Sequence, residues 1–255
     1  MTNSRRKLYS QNFLCSRKLV SSLVGNSSIE KNDLVVDIGA GQGIITAELL
    51  ERGANVIAIE IDTYWYSHLH SRFPNQPNLT LVHADFLSWP LPQNSYKVFA
   101  NLPFSVEGLI IRKLLDAPHP PQDCYLIIMD KFARRLTTDH NLFSSLYTPW
   151  FEFNIIRYVS RYSFRPVPSI DAALFHFSKR QRPLLDWSHR HTYQQFVRRA
   201  FGNGQSVYRN LSHYHPKNRI DRIFHNLSLN HHLKPSHLSP TTWINLHRTL
   251  TKISN

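Results

Sequence analysis

Hydrophobic residues in the first two thirds of the chain form short, nearly continuous runs, and these runs predict seven strands. The predicted strands cover residues 34–39, 55–61, 79–85, 96–102, 124–130, 153–160 and 173–179. Runs without polar alternation are typical of strands that are buried on both faces. Segments with a helical pattern, such as residues 43–53 and 106–116, lie between the strands. This order predicts an α/β fold with a mostly parallel sheet, and the last two strands form an antiparallel edge because no long helix separates them.

The pattern changes after residue 181, where strands stop and amphipathic helices begin. Residues 193–201 place four apolar side chains on one helical face, namely Tyr193, Phe196, Val197 and Ala200. Two more amphipathic segments follow at residues 217–227 and 239–250. We therefore predict two domains, residues 1–181 and residues 182–255, of which the second is small and all-helical.

The charge balance of the chain indicates a polyanionic binding partner. The chain has 30 Lys and Arg against 17 Asp and Glu, a formal charge of +13 and a pI near 10.0. Such an excess favours nucleic acid first and an anionic membrane surface second. No apolar run approaches the length of about 18 residues that a membrane span requires. The basic N-terminus lacks the apolar core of a signal peptide, so a cytoplasmic protein is expected.

Cysteine and histidine usage argues against a metal protein. The chain has two cysteines and no CxxC motif, which disfavours a zinc ribbon or a disulfide scaffold. Cys124 lies in the apolar run "CYLIIM" and is expected to be a buried strand thiol. The 15 histidines thicken toward the C-terminus. They favour a polar surface over a metal site, because no carboxylates or thiols stand at ligand spacing.

The stretch "VVDIGAGQG" is the most informative motif in the chain. Gly39, Gly41 and Gly43 separate a strand from a helix, and Glu60 ends the next strand, where a carboxylate can bind ribose hydroxyls. A dinucleotide requires the spacing G-x-G-x-x-G, whereas this loop reads G-x-G-x-G and follows Asp37. A carboxylate there would repel pyrophosphate but suits a cation. The motif therefore favours S-adenosylmethionine over NAD.

Two further motifs end strands on the same edge of the predicted sheet. Asp85 in "HADF" can accept a hydrogen bond from an adenine amine, and a helix cap is its alternative role. Asn101 in "ANLPFS" ends the fourth predicted strand, and a simple turn is the alternative for this motif. Because ligands of open α/β sheets bind along this edge, both side chains are expected to face one crevice.

Taken in order, "DIGAGQG", "EID", "HADF" and "NLPF" resemble the S-adenosylmethionine-dependent adenine-N6 methyltransferases. The segments "SQNFL" (10–14) and "FRPVPSIDAALFHFSKR" (164–180) look like the ribosomal RNA adenine N6-methyltransferase superfamily. That superfamily contains the erythromycin-resistance (Erm) enzymes and the dimethyladenosine transferases, and the C-terminal tail is more similar to the Erm branch. The resemblance implies a class I methyltransferase with a Rossmann-like, seven-stranded, mostly parallel sheet and a small all-helical C-terminal domain.

The resemblance also implies roles for individual residues. The Asn101 side-chain oxygen and the Leu102 carbonyl would accept hydrogen bonds from the two N6 hydrogens of adenine. Phe104 would stack on the base. The implied S-adenosylmethionine site contains Gln11, Asn12, Leu14, Asp37, Gly39, Gly41, Glu60, Ile61, Asp85, Phe86 and Asn101. The implied RNA contacts, which are otherwise a solvated basic surface, are Arg5, Arg6, Lys7, Lys131, Arg134, Arg135 and Arg165. The run "SVEG" after Phe104 departs from the "N-I-S-T"-like run that is common in the family.

The implied function is S-adenosylmethionine-dependent methylation of N6 of one adenine in 23S ribosomal RNA. That modification would block macrolide, lincosamide and streptogramin B antibiotics. The expected partner is 23S RNA, protein-free or in early assembly, and the expected state is a monomer. The alternatives are a 16S dimethyladenosine transferase, a non-catalytic nucleic-acid-binding protein on the same fold, and a DNA adenine methyltransferase. The last usually has two prolines in its tetrapeptide, whereas Leu102 stands at the first of those positions here.

Overall fold

The computed structural model describes residues 12–138, 140–202 and 204–251. Within these ranges the strands are β1 (Phe13–Leu14), β2 (Leu34–Ile38), β3 (Asn55–Glu60), β4 (Leu79–His83), β5 (Lys97–Asn101), β6 (Asp123–Met129), β7 (Phe151–Val159), β8 (Phe164–Arg165) and β9 (Ala172–Lys179). Seven of them form one sheet in the order β4-β3-β2-β5-β6-β9-β7, and β1 pairs with β8 in a separate two-stranded sheet. The seven strands predicted from the sequence are confirmed.

The large sheet is mostly parallel, as predicted. Strands β2 to β6 pair in parallel, with Val36 opposite Ile57 and Asn101 opposite Ile127. Strand β9 runs antiparallel to β6, from Met129 opposite Ala172 onward. The central strands carry Val, Ile, Leu and Phe side chains that are fully buried. This burial on both faces explains the unbroken apolar runs in the sequence.

The helices within the described residues are α1 (Arg17–Gly25), α2 (Ile44–Glu51), α3 (Thr63–Arg72), α4 (Glu107–Asp116), α5 (Asp130–Thr137), α6 (Leu142–Tyr147), α7 (Arg190–Phe201), α8 (Val207–Leu211), α9 (Lys217–Asn226) and α10 (Pro240–Thr251). The five segments with a clear helical pattern correspond to α2, α4, α7, α9 and α10. The sequence did not indicate α3, whose aromatic and histidine residues give little amphipathic contrast. Its start is fixed locally, because the Asp62 carboxylate accepts hydrogen bonds from the first backbone N–H groups.

The described residues cluster into two compact units. One comes from Met1–Arg135 and Phe153–Lys179, and the other from Leu136–Glu152 and Arg180–Asn255. The first contains the large sheet, and the second is helical. A division after residue 181 stays a prediction, and the sequence did not indicate that residues 136–152 cluster with the helices.

In the helical unit, the predicted apolar face of α7 is confirmed. All four of its residues, from Tyr193 to Ala200, are buried. The Tyr193 hydroxyl donates a hydrogen bond of 3.0 Å to the Ser145 carbonyl in α6. This contact, together with the T-shaped packing of Tyr193 on Trp150, explains why residues 136–152 belong to the helical unit.

Candidate functional site

The glycine loop after β2 turns sharply and leaves open space beside its backbone. Gly39 and Gly41 have φ angles of 70° and 52°, values that L side chains rarely adopt. A Cβ on Gly39 would meet no atom within 4 Å, so this glycine borders free volume. A Cβ on Gly41 would lie 2.8 Å from Cε1 of Phe13. The loop therefore needs glycine at 39 for its conformation and at 41 also for its close packing.

Glu60, at the end of β3, is hydrogen-bonded to this loop. Its Oε2 accepts a hydrogen bond of 2.8 Å from the Gly41 N–H, and its Oε1 accepts one of 2.8 Å from the Asp62 N–H. Burial raises the pKa of Glu60, and the peptide N–H groups oppose this shift. Because each carboxylate oxygen has a second lone pair, Glu60 can still accept hydrogen bonds from ligand hydroxyls.

Asp37 lies inside β2, beneath the loop, and is 1% exposed. Its Oδ2 accepts a hydrogen bond of 2.6 Å from the Thr46 hydroxyl, whereas its Oδ1 has no partner among the described residues. Burial raises the pKa of Asp37 to about 7. A nearby cation would favour the ionised carboxylate. The side chain does not line either cavity of the site described below.

A cavity of about 250 Å³ opens at the carboxyl ends of β2, β3 and β4. It is lined by four of the predicted cofactor residues, namely Gly39, Ile61, Asp85 and Phe86. Asp85 is exposed and its Oδ1 accepts a hydrogen bond of 2.8 Å from the Leu87 N–H. It therefore caps a turn with one oxygen, rather than the helix that was its alternative role, and lines the cavity as well. The cavity is mainly apolar and Asp85 is the acidic residue in its lining, a combination that suits a flat purine.

A smaller cavity of about 70 Å³ shares Gly39, Ile61 and Pro103 with the larger one. Predicted site residues Asn12, Gly41, Glu60, Asn101 and Leu102 line it as well. The Asn101 Nδ2 donates a hydrogen bond of 2.8 Å to the Asn12 carbonyl. The Asn101 Oδ1 is buried and has no partner among the described residues. Asn101, whose side-chain oxygen is unpaired among the described residues, thus lines the same cavity as the glycine loop and Glu60.

Other predicted residues lie elsewhere. Leu14 is 2% exposed and belongs to the hydrophobic core, and Phe104 is half-buried and lines neither cavity. Gln11, Arg5, Arg6 and Lys7 lie outside the described residues.

Sequence reasoning missed Phe13 as a site residue. Phe13 lines the smaller cavity and packs on Trp65 at 5.0 Å between ring centroids. The motif "SQNFL" contained the signal, because Phe13 is its aromatic residue, but the sequence did not show what the ring covers.

The predicted RNA-binding residues are exposed on two elements. Lys131, Arg134 and Arg135 lie on α5, and Arg165 lies on β8. Arg134 Nε donates a hydrogen bond of 2.8 Å to Asp130, and its guanidinium lies 4.6 Å from the centroid of the Tyr158 ring. An Arg packed on an exposed aromatic ring can contact both a phosphate and a base.

Cys124 is fully buried, as predicted, and burial raises the pKa of its thiol. Among the described residues, no three His, Cys, Asp or Glu side chains are grouped so that they could hold a metal ion. In the same part of the chain, no helix has both the length and the apolar character needed to cross a membrane.

The mostly parallel seven-stranded sheet has the class I methyltransferase fold, with a glycine loop after β2 and the Asn-Leu-Pro-Phe segment at the end of β5. The model of the ribosomal RNA adenine dimethylase family matches residues 2–252, and the chain belongs to this family. It is similar to the crystal structure of the 23S rRNA methyltransferase ErmE, with 26% identity and a TM-score of 0.80, over 94% of this chain and 100% of that one.

Two relatives are called rRNA adenine N-6-methyltransferase. The one from Aeromicrobium erythreum is 29% identical over 96% of this chain and 73% of its own length. The one from Saccharopolyspora erythraea is 27% identical over 96% of this chain and 65% of its own length. The chain therefore spans roughly two thirds to three quarters of these relatives.

Proposed function

We propose that this protein transfers a methyl group from S-adenosylmethionine to N6 of one adenine in 23S ribosomal RNA and so confers resistance to macrolide, lincosamide and streptogramin B antibiotics. One observation carries the proposal: the buried Asn101 Oδ1 lacks a partner among the described residues, and Asn101 lines the same cavity as the glycine loop and Glu60. A buried acceptor without a partner is costly, so its retention is explained by a ligand that donates to it.

The residues of the crevice fit S-adenosylmethionine, which when bound supplies a methyl group on a cationic sulfur. Gly39 borders open space, so a ligand can approach the loop backbone closely. Asp37 has an unpartnered buried oxygen beneath the loop, and a cationic ligand would favour its ionised form. Glu60 is held by the Gly41 N–H and presents remaining lone pairs for ribose hydroxyls. These carboxylates suit a cationic nucleoside better than a dinucleotide.

The chain's own residues would prepare the nucleophile. Adenine N6 is weakly nucleophilic because its lone pair is delocalised into the ring. Asn101 Oδ1 and the Leu102 carbonyl would accept hydrogen bonds from its two N–H groups. These bonds would localise the lone pair and orient it. No strong base is needed, since N6 loses a proton only as it becomes cationic. This mechanism works by positioning and electrostatics.

The target base must leave its stack to reach the crevice. Phe104 is half-buried beside Pro103 and offers a ring face for stacking, worth about 1–3 kcal/mol. Arg134, Arg135, Lys131 and Arg165 would contact RNA phosphates. We further propose that the protein acts as a monomer in the cytoplasm.

The test is a methylation assay with protein-free 23S RNA, assembled 30S particles and labelled S-adenosylmethionine. We expect label in 23S RNA, at one adenine that primer extension maps, and little in 30S particles. Label in 30S particles alone would assign the 16S reaction instead. Calorimetry with S-adenosylmethionine gives a second measurement, because a non-catalytic binding protein would show no heat.

A further inference from the structure

Helix α4 follows the "NLPF" motif after two residues and contributes one residue to the lining of the larger cavity. Its residues Glu107, Ile110 and Lys113 are spaced three apart, so they form one row on the helix surface. Ile110, in the middle of the row, lines the cavity. The two ionisable residues flank it. Lys113 contacts the loop after β4, which lines the cavity, and Glu107 contacts the end of β6.

Lys113 holds the loop after β4. Its Nζ donates hydrogen bonds to the carbonyls of Phe86, Leu87 and Trp89, and it lies 4.8 Å from the centroid of the Phe86 ring. An ammonium has three N–H donors, so these three carbonyls satisfy it completely. Because Phe86 and Leu87 line the larger cavity, Lys113 determines where that wall lies.

Glu107 binds the end of strand β6. Its side chain is buried, and its Oε1 accepts a hydrogen bond of 2.7 Å from the Met129 N–H at the end of β6. Strand β6 pairs with β5, which carries Asn101. This hydrogen bond therefore links the start of α4 to β6, the strand next to β5. Leu102 and Phe104 lie in the short connection between β5 and α4.

We propose that Lys113 and Glu107 are positioning residues that act from one helix on the two halves of the reaction. Lys113 fixes the wall of the methyl-donor pocket, and Glu107 fixes the Asn101–Phe104 segment that would hold the target adenine. The inference rests on the proposed function. It concerns a residue, Glu107, in the run where this chain departs from the sequence common in its family.

The chain offers a matched control for each residue at the opposite edge of the sheet. Lys97 Nζ also makes two short contacts, at 2.6 Å to the Ser28 carbonyl and 2.8 Å to Asp33 Oδ2. Asp123 lies at the other end of β6 and accepts hydrogen bonds from Ser28 and His176. Variants there lose comparable contacts without touching the crevice.

The first experiment compares Lys113→Met with Lys97→Met by calorimetry with S-adenosylmethionine. We expect Lys113→Met to raise the donor Kd about tenfold, since the loop carbonyls lose their shared cation, while kcat at saturating donor changes little. Lys97→Met should leave the donor Kd unchanged. Lys113→Arg keeps several N–H donors and should recover most of the affinity.

The second experiment compares Glu107→Ala, Glu107→Gln and Asp123→Asn in the 23S RNA assay. We expect Glu107→Ala to lower kcat about 10- to 100-fold with the donor Kd unchanged, because a small displacement of the acceptor segment is enough for such a loss. Glu107→Gln keeps a carbonyl that can accept from the Met129 N–H, so it should restore kcat. Asp123→Asn should leave kcat unchanged.

Equal donor affinity in Lys113→Met and Lys97→Met would overturn the role of Lys113. If Lys113→Met does not fold, Lys113→Gln replaces it, and an unchanged donor Kd in that variant would overturn the role as well. For Glu107, a glutamine variant as slow as the alanine variant would overturn its role. Donor calorimetry requires no RNA, so a wild-type protein that binds S-adenosylmethionine but does not label 23S RNA would reject the proposed function separately.

Discussion

Polar groups are hydrogen-bonded differently at the two ends of the parallel strands. We call the end where these strands begin the amino edge, and the end where they finish the carboxyl edge. At the amino edge, both oxygens of Asp123 are bonded, one to the Ser28 hydroxyl and one to His176, each at 2.9 Å. Lys97 completes this edge with its ion pair to Asp33. The Tyr96 hydroxyl is an exception on this edge, because it is buried without a partner among the described residues.

At the carboxyl edge, buried oxygens without partners are concentrated. Asp37 Oδ1, Asn101 Oδ1 and Glu107 Oε2 have none among the described residues. Each such group costs about 1–3 kcal/mol relative to a satisfied one. One edge therefore stabilises the fold, and the other leaves buried acceptors unpaired at the expense of stability.

The largest effect is expected for Asn101→Ala. This variant should lower the rate of methyl transfer by about 100- to 1,000-fold, because it removes one of two acceptors that orient the nucleophile. The donor Kd should change little. Single-turnover assays and calorimetry measure the two quantities.

Asn55→Ala is the control, since Asn55 Nδ2 donates a comparable hydrogen bond to the Asn32 carbonyl far from the crevice. It should keep full activity. A loss of donor affinity in Asn101→Ala equal to its loss of rate would assign Asn101 to donor binding instead.

The second prediction concerns the pH dependence of stability in Asp37→Asn. Burial raises the pKa of Asp37 from 3.8 to about 7, so the folded state binds more protons than the unfolded state between these values. Its contribution to stability is therefore present at low pH and is lost as pH rises through 7. Between pH 4 and pH 8, the free energy of unfolding of the wild type should fall about 2–4 kcal/mol more than that of Asp37→Asn.

Urea unfolding at several pH values checks this difference. Glu60 and Glu107 also have raised pKa values and are present in both proteins, so the comparison reports on Asp37 and its repulsion by Glu60. Saturating S-adenosylmethionine should reduce the fall in the wild type, because a cation favours the carboxylate. Parallel curves for the two proteins would contradict the assignment.

The smallest effect is expected at the amino edge. Asp123→Asn should lower the free energy of unfolding by about 1–3 kcal/mol at pH 7, since it weakens charge-assisted hydrogen bonds to Ser28 and His176. The pKa of Asp123 lies below its usual value, mainly because His176 donates to it. The loss should therefore shrink as the pH falls below 4, and methylation should be unaffected. Reduced methylation in a stably folded variant would break the separation between the two edges.

The strands and the residues at their carboxyl ends could be predicted from the sequence because both depend on local signals. Buried parallel strands have unbroken apolar runs, and their carboxyl ends share one edge, so Gly39, Glu60, Asp85 and Asn101 could be placed together. The roles predicted for individual site residues stay predictions that the proposed experiments test.

Contacts between distant segments could not be predicted. Nothing near Lys113 in the sequence indicates that it binds the carbonyls of residues 86, 87 and 89. The assignment of helix α6 to the helical unit was missed for a similar reason. It depends on a hydrogen bond from Tyr193, which lies 48 positions after Ser145 in the chain. Single-sequence patterns report periodicity within an element and not which elements touch.

The pairing of β1 with β8 has a consequence for biosynthesis. Phe13 covers Gly41 and lines the smaller cavity, but its strand pairs with Arg165, about 150 positions later in the chain. A nascent polypeptide that emerges from the ribosome amino end first would therefore have its glycine loop long before it could secure the aromatic ring over it. The donor pocket would become complete only late in translation, after most of the catalytic unit had been synthesised.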